Sequence, residues 1–154
     1  MKAAVISDCK MYRYFLLRGD ENQLPFIMLN PSTADETLDD PTIRRCMSFA
    51  KTFGYNGIVV MNLYAFRATN PKELLTCADP VGPENDKWLL ELSRYDEVVC
   101  AWGANAKLDR VKEVYDMLVA NGVKLKCLGI TKHGAPRHPL YIKADQPLID
   151  WELT

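Results

Sequence analysis

The sequence predicts an α/β fold of three layers, in which helices cover both faces of a mostly parallel central sheet of about four strands. Four mainly apolar runs have the length and composition of strands, at 24–29, 57–62, 97–102 and 124–129. Segments with helical periodicity separate these runs, and this alternation is typical of parallel sheets that are covered on both faces. Two further segments, 3–7 and 12–18, precede them and predict an antiparallel N-terminal hairpin or, alternatively, two edge strands.

The helical segments carry recognisable start and stop signals. Asp40 followed by Pro41 is an N-cap and first-turn pair, and Gly54 ends the helix that this pair begins. The other predicted helices run from Asn70-Pro71 through Leu75, from about Glu84 to Arg94, and through the stripe Leu108, Val111, Tyr115 and Leu118 to Gly122. The tail that follows the last strand contains Trp151, which we expect to dock on the core.

Size and composition limit the class of protein. With 154 residues, 48% of them hydrophobic and 25% charged, the chain is predicted to form a single soluble domain, residues 1–154. No apolar run approaches the ~20 residues that cross a bilayer, and no signal peptide is evident, so we expect a cytoplasmic protein without membrane contact. Five cysteines form no CxxC pair, and only two histidines are present, so the sequence predicts neither a metal site nor a cofactor.

The overall charge bears on the partner. A net charge of −1 and a pI near 6.1 are more acidic than is usual for a protein that coats DNA. A local basic groove remains compatible with this balance. Arg67 and Arg137 are candidates for binding a phosphate or carboxylate, although a lone arginine more often pairs with a neighbouring acid. Arg44 and Arg45 lie in the first turn of a helix, where cations are unfavourable unless an anion is nearby, so they are candidate phosphate ligands; two solvated arginines are the alternative.

Polar side chains follow the predicted strands where each one ends. The four ends carry Asn30, Asn62, the corner from Trp102 through Gly103 to Asn105, and a loop with both His133 and His138. Because parallel strands share one direction, we expect these groups at one edge of the sheet, where open α/β sheets bind ligands. An Asn amide can read a nucleobase edge or hold a water, and a histidine can donate to a developing oxyanion. Tyr64 and Phe66 would stack on a planar ring.

The motif order LNPST, VVMNLYAF, VVCAWGANAK and RHPLY resembles that of the uracil-DNA glycosylase superfamily. Over nearly its whole length, with LNPSTAD, NLYAFRAT, WGAN and RHPLY, the chain resembles an uncharacterised bacterial and phage family known as a domain of unknown function. The first resemblance implies a uracil-DNA glycosylase-like fold. It also implies that Asn30 positions a water, that Asn62 reads a base edge, and that His138 stabilises the departing base. Pro31 and Ser32, in the same turn as Asn30, are candidate substrate-binding residues. Trp102 and Gly103 would support the pocket floor.

This chain departs from the superfamily at the late motif. His138-Pro139-Leu140-Tyr141 lacks the usual Ser and the Pro-Leu-Ser segment that inserts into duplexes, which favours a nucleotide over an intercalated double strand. Asn30 is a poor base, and Asp35, five residues further on, would serve instead if its loop folds back.

Two functions from different classes remain open. The first is a nucleobase-recognising enzyme that hydrolyses the N-glycosidic bond of a modified or uracil-type base in DNA or a nucleotide. The alternative is a non-catalytic module that binds a nucleotide or nucleic acid on the same scaffold. Another nucleotide-modifying activity is a third, weaker interpretation.

Overall fold

The computed structural model describes residues 1–154 and shows a mixed α/β fold around one seven-stranded sheet. The strands are β1 (Lys2–Ile6), β2 (Arg13–Gly19), β3 (Gln23–Met28), β4 (Gly57–Asn62), β5 (Glu97–Cys100), β6 (Lys124–Cys127) and β7 (Ile149–Asp150). Their spatial order is β1-β2-β4-β3-β5-β6-β7.

The four predicted buried strands form the centre of this sheet. β4, β3, β5 and β6 pair in parallel, whereas the pairs β1–β2, β2–β4 and β6–β7 are antiparallel. The sheet as a whole is therefore mixed, and the expectation of a mostly parallel sheet describes only its four central strands. β1 and β2 form the N-terminal hairpin that the sequence predicts. The short edge strand β7 has no counterpart in the prediction, although the adjacent Trp151 does dock, edge-on against Trp102 at 5.2 Å between ring centroids.

The helices are α1 (Pro41–Thr52), α2 (Glu73–Thr76), α3 (Asn85–Leu89) and α4 (Leu108–Ala120), with 3₁₀ helices at Leu90–Arg94 and Pro139–Tyr141. The Asp40 carboxylate caps α1 by accepting from the Ile43 backbone N–H at 2.9 Å. The segment 84–94 is not one α-helix, because its second half tightens into a 3₁₀ helix. Leu89 and Leu92 are both fully buried. No helix combines the length and apolar character that a membrane crossing requires.

Two hydrophobic cores lie on opposite faces of the sheet. Phe26 and Val60 belong to the core that α1 covers through Ile43 and Phe49. Their sequence neighbours, such as Ile27 and Val59, point to the other face, because successive strand residues alternate. Residues of α3 and α4 cover that second face. The result is a helix–sheet–helix sandwich that leaves the carboxyl ends of the central strands open.

Candidate functional site

A cleft of about 580 Å³ lies at the carboxyl ends of the central strands. Its lining includes residues from all four strand ends that the sequence analysis selected: Asn30, Pro31 and Ser32 after β3, Asn62 at the end of β4, Trp102, Gly103 and Asn105 after β5, and Arg137 and His138 after β6. Parallel direction brings together groups that are separated by as many as 108 residues, from Asn30 to His138. These side chains surround a single cleft.

Asn62 is the most unusual group in the cleft. The residue is only 1% exposed, and neither its side-chain Oδ1 nor its Nδ2 has a hydrogen-bond partner. Its main chain is held firmly, because its carbonyl accepts from Asn85 Nδ2 at 3.0 Å. A buried polar atom without a partner costs about 1–3 kcal/mol. An amide that faces a cleft with both ends unpaired therefore offers a donor and an acceptor to a ligand.

The side chain of Asn30, in contrast to that of Asn62, is held by hydrogen bonds. Its Nδ2 donates to the backbone carbonyls of Ala68 at 2.8 Å and Pro31 at 3.0 Å. These carbonyls determine the orientation of the amide, since only the NH₂ end can face them. Oδ1 is therefore the end that the side chain presents to the cleft, as a fixed hydrogen-bond acceptor.

His138 presents a donor. It caps the 3₁₀ helix Pro139–Tyr141, and its Nδ1 accepts from the Leu140 backbone N–H at 3.2 Å. The neutral ring must then carry its proton on Nε2. Burial lowers the pKa of His138, although the negative charge of Asp40 partly offsets this effect. The imidazole is accordingly held neutral near pH 7, with Nε2–H as its donor.

Gly103 shapes the wall beside His138. Its backbone has φ of +78°, a left-handed conformation that favours glycine. Its N–H donates to the Pro136 carbonyl at 2.8 Å, which ties the corner after β5 to the histidine loop. A side chain at position 103 would begin 3.6 Å from the Cβ of His138.

Two charged residues of the cleft were not predicted as site residues, Arg13 and Asp40. Arg13 is 2% exposed, its Nη1 donates to the Ala34 carbonyl at 3.0 Å, and its Nε has no partner. Burial lowers the pKa of Arg13 to about 10, so it remains a cation at pH 7. The sequence feature that could have identified Arg13 is its position between two tyrosines in a short predicted strand, Tyr12-Arg13-Tyr14. Asp40 was assigned only as a helix cap, a role that it does have.

Asp35 and Arg67 do not line the cleft. The Asp35 carboxylate accepts from the backbone N–H groups of Thr37 at 2.9 Å and Leu38 at 2.7 Å. These bonds lower its pKa and close a surface turn, so its loop does not bring a base to Asn30. Arg67 donates to the Lys10 carbonyl at 3.3 Å, away from the cleft.

Tyr64 and Phe66 are not available for stacking in the cleft. Tyr64 is buried in the core beneath α4, and its hydroxyl accepts from the Lys107 backbone N–H at 3.3 Å. Phe66 packs edge-on against Tyr12, with ring centroids 6.1 Å apart. Both rings serve packing, and Trp102 is the large aromatic side chain among the buried residues of the cleft.

Arg44 and Arg45 also lie outside the cleft lining. Arg45 donates from Nε to the Pro139 carbonyl at 3.3 Å and from Nη2 to the Ile142 carbonyl, while its guanidinium lies 4.9 Å from the centre of the Phe49 ring. It therefore anchors the 3₁₀ segment that carries His138. Arg44 is exposed and borders a separate surface groove. The structure contains no group of three or more His, Cys, Asp or Glu side chains arranged to hold a metal.

Comparison with known proteins identifies one relationship. Residues 13–140 match the family described as "Protein of unknown function (DUF1643)", and this segment includes Asn30, Asn62 and His138. The match agrees with the resemblance to an uncharacterised domain family and gives no support to the glycosylase resemblance. No curated protein and no solved structure gives a significant match.

Proposed function

The chain belongs to the DUF1643 family, and we propose that its strand-end cleft recognises a nucleobase carried by a nucleotide or by DNA and hydrolyses the N-glycosidic bond of that base. One observation carries the proposal: the buried amide of Asn62 faces the cleft with donor and acceptor both unpaired. The proposed substrates carry a modified or uracil-type base. We also propose that the fold is arranged as in the uracil-DNA glycosylases.

The cleft suits a flat heterocycle with a polar edge. A carboxamide presents a donor and an acceptor side by side, which matches the adjacent carbonyl and N–H groups of a pyrimidine edge. Met28, Val60 and Trp102 supply apolar surface beside Asn62. A volume of about 580 Å³ is within the range typical of small-molecule sites.

Each of the remaining polar groups of the cleft has a separate role in the proposed hydrolysis. When the bond between C1′ and the base nitrogen breaks, the electron pair leaves with the base, and the sugar becomes cation-like. His138 Nε2–H would donate to the base oxygen on which negative charge develops. Asn30 Oδ1 would accept a hydrogen bond from the water that attacks C1′. Asp40 replaces Asp35 as the carboxylate that would take the proton of that water, since Asp40 lines the cleft.

A second candidate function is binding without catalysis. The bond from Asn30 Nδ2 to the Ala68 carbonyl gives this residue a structural role that needs no reaction, because it joins the turn after β3 to the segment after β4. In that case Asn62 would still select the base, and His138 would add a hydrogen bond to the ground state.

The test is to incubate the protein with oligonucleotides and nucleotides that carry uracil, hydroxymethyluracil or mismatched bases, and to score abasic sites or released base. We expect release that Asn30→Ala and His138→Asn reduce by about 10²-fold or more, as is typical for the loss of a positioned catalytic group. Folded protein that releases no base from any substrate would refute hydrolysis. Ligand-induced thermal shifts that survive Asn30→Ala but vanish with Asn62→Leu would then establish the binding function.

A further inference from the structure

We propose that Arg13 forms an anion subsite in the cleft and binds a phosphate on the ligand whose base reaches Asn62. The inference deepens the proposed function, on which it rests for the identity of the base. It narrows the ligand from a free base or nucleoside to one that carries a phosphate close to the base.

Arg13 differs from the other buried arginines in its lack of an acidic partner. Three arginines are almost fully buried, with exposures of 2% for Arg13, 0% for Arg18 and 4% for Arg110. Arg18 Nε contacts Asp39 at 2.6 Å, and Arg110 Nη2 contacts Asp86 at 2.7 Å. Arg13 is the buried arginine without a salt bridge, and it is the one of the three that lines the cleft. A buried cation is costly unless an anion compensates it, so the place of that anion is open to a ligand.

The free part of the guanidinium is suited to a phosphate. Nη1 is occupied by the Ala34 carbonyl, whereas Nε, which has no partner, lies on the edge that binds two oxygens of one anion side by side. Asp40 is near enough to favour the charged form of Arg13 but forms no salt bridge with it, and its Oδ1 is occupied in capping α1. Asp40 therefore favours the charged form of Arg13 and leaves its Nε without a partner.

Strand pairing places Arg13 beside Asn62. β2 runs antiparallel to β4, with Leu16 opposite Val60, so the start of β2 adjoins the end of β4. The Arg13 backbone N–H donates to the Ala65 carbonyl at 3.0 Å, just beyond that end. The side chains of Arg13 and Asn62 both line the same cleft. A ligand with a base, a sugar and one phosphate would place its base at Asn62 and its phosphate at Arg13.

The test compares three classes of ligand by isothermal titration calorimetry. The first class is nucleosides, the second is the corresponding 5′-monophosphates together with short single-stranded oligonucleotides, and the third is ribose 5-phosphate and inorganic phosphate. We expect a phosphate-bearing base to bind wild-type protein at least tenfold more tightly than its nucleoside. Arg13→Gln should remove this gain while leaving nucleoside binding unchanged, and Arg44→Gln, which removes an arginine outside the cleft, should keep it.

The outcomes separate the two proposals. Equal affinity for nucleoside and nucleotide in wild-type protein, or a gain that persists in folded Arg13→Gln, would overturn the Arg13 subsite and leave base recognition standing. Binding of ribose 5-phosphate that depends on Arg13, with no nucleoside binding, would support the subsite and refute base recognition. A gain for mononucleotides alone would identify a free nucleotide as the source of the phosphate, and a larger gain for oligonucleotides would identify single-stranded nucleic acid. If Arg13→Gln does not fold, a wild-type comparison without a phosphate gain still overturns the subsite. A gain that persists in Arg137→Gln, which removes the other arginine of the cleft, then supports Arg13, and a gain that is lost in that variant overturns the assignment.

Discussion

Replacing Asn62 by leucine should stabilise the protein while abolishing its function. The Asn62 side chain makes no hydrogen bond and is 1% exposed, so its two polar atoms are desolvated without compensation. An unpaired buried polar group costs about 1–3 kcal/mol, and an apolar residue of similar size removes that cost. Each kcal/mol raises the melting temperature of a domain of this size by about 2–4 °C. Asn62→Leu should therefore melt several degrees above wild type.

Asn85 supplies a matched control for this measurement. It is also fully buried, and its Oδ1 is also unpaired, but its Nδ2 donates to the carbonyls of Asn62 at 3.0 Å and Leu63 at 3.2 Å. Asn85→Leu removes both bonds, and the Leu63 carbonyl keeps only its bond from Arg110 Nε at 2.9 Å, so we expect a loss of roughly 2 kcal/mol.

The assay is urea denaturation of wild type and both variants, followed by titration with the ligand that binds wild type best. A ligand site predicts opposite signs for the two variants and loss of binding in Asn62→Leu. If Asn62→Leu were instead destabilised as strongly as Asn85→Leu, the Asn62 amide would be a structural group, and the reasoning would fail.

Three further predictions concern charge. Arg13→Met should leave the free energy of unfolding unchanged or higher. Arg18→Met should cost about 3 kcal/mol, because it removes a fully buried guanidinium that pairs with Asp39 and donates to the Asp35 and Leu38 carbonyls. Equal losses in denaturation would show that Arg13 is structural. Burial lowers the pKa of His138 in the folded protein below the ordinary 6.5, so the unfolded chain binds more protons than the folded one. The free energy of unfolding should therefore decline as the pH falls through 6.5. Urea titrations at pH 7.5 and 5.5 should show a smaller decline in His138→Asn than in a variant of the exposed His133. Asp35→Asn should leave ligand affinity and base release unchanged, since its carboxylate closes a surface turn, and a tenfold loss in either would return Asp35 to the site.

The gathering of the strand ends at one edge could be predicted, because all strands of a parallel sheet run in the same direction. Four apolar runs separated by helices imply parallel strands, and the groups that follow them must then share one edge. Asn30, Asn62 and His138 line one cleft for this reason. The sequence also carried the cap at Asp40 and the N-terminal hairpin, whose signals are local.

The rest depends on information that is not local. The sequence did not identify Arg13 as a site residue, because its position in the cleft depends on the pairing of β2 with β4, a contact between distant segments. Asp35 lies on a loop five residues after Asn30, and this spacing does not determine the path of the loop. Tyr64 follows the end of β4, where the chain turns its ring beneath α4 and away from the cleft. Side-chain direction beyond a strand end is set by the turn that follows, which periodicity does not describe.

The central claim is that the unpaired amide of Asn62 is the group that contacts a base. The most direct measurement is a ¹H–¹⁵N spectrum of the Asn62 side-chain NH₂, assigned by its absence in Asn62→Leu, during titration with nucleosides and nucleotides. We expect a saturable shift of this resonance for at least one base. A resonance that stays unchanged at saturating concentrations of every base tested, in folded protein, would contradict it.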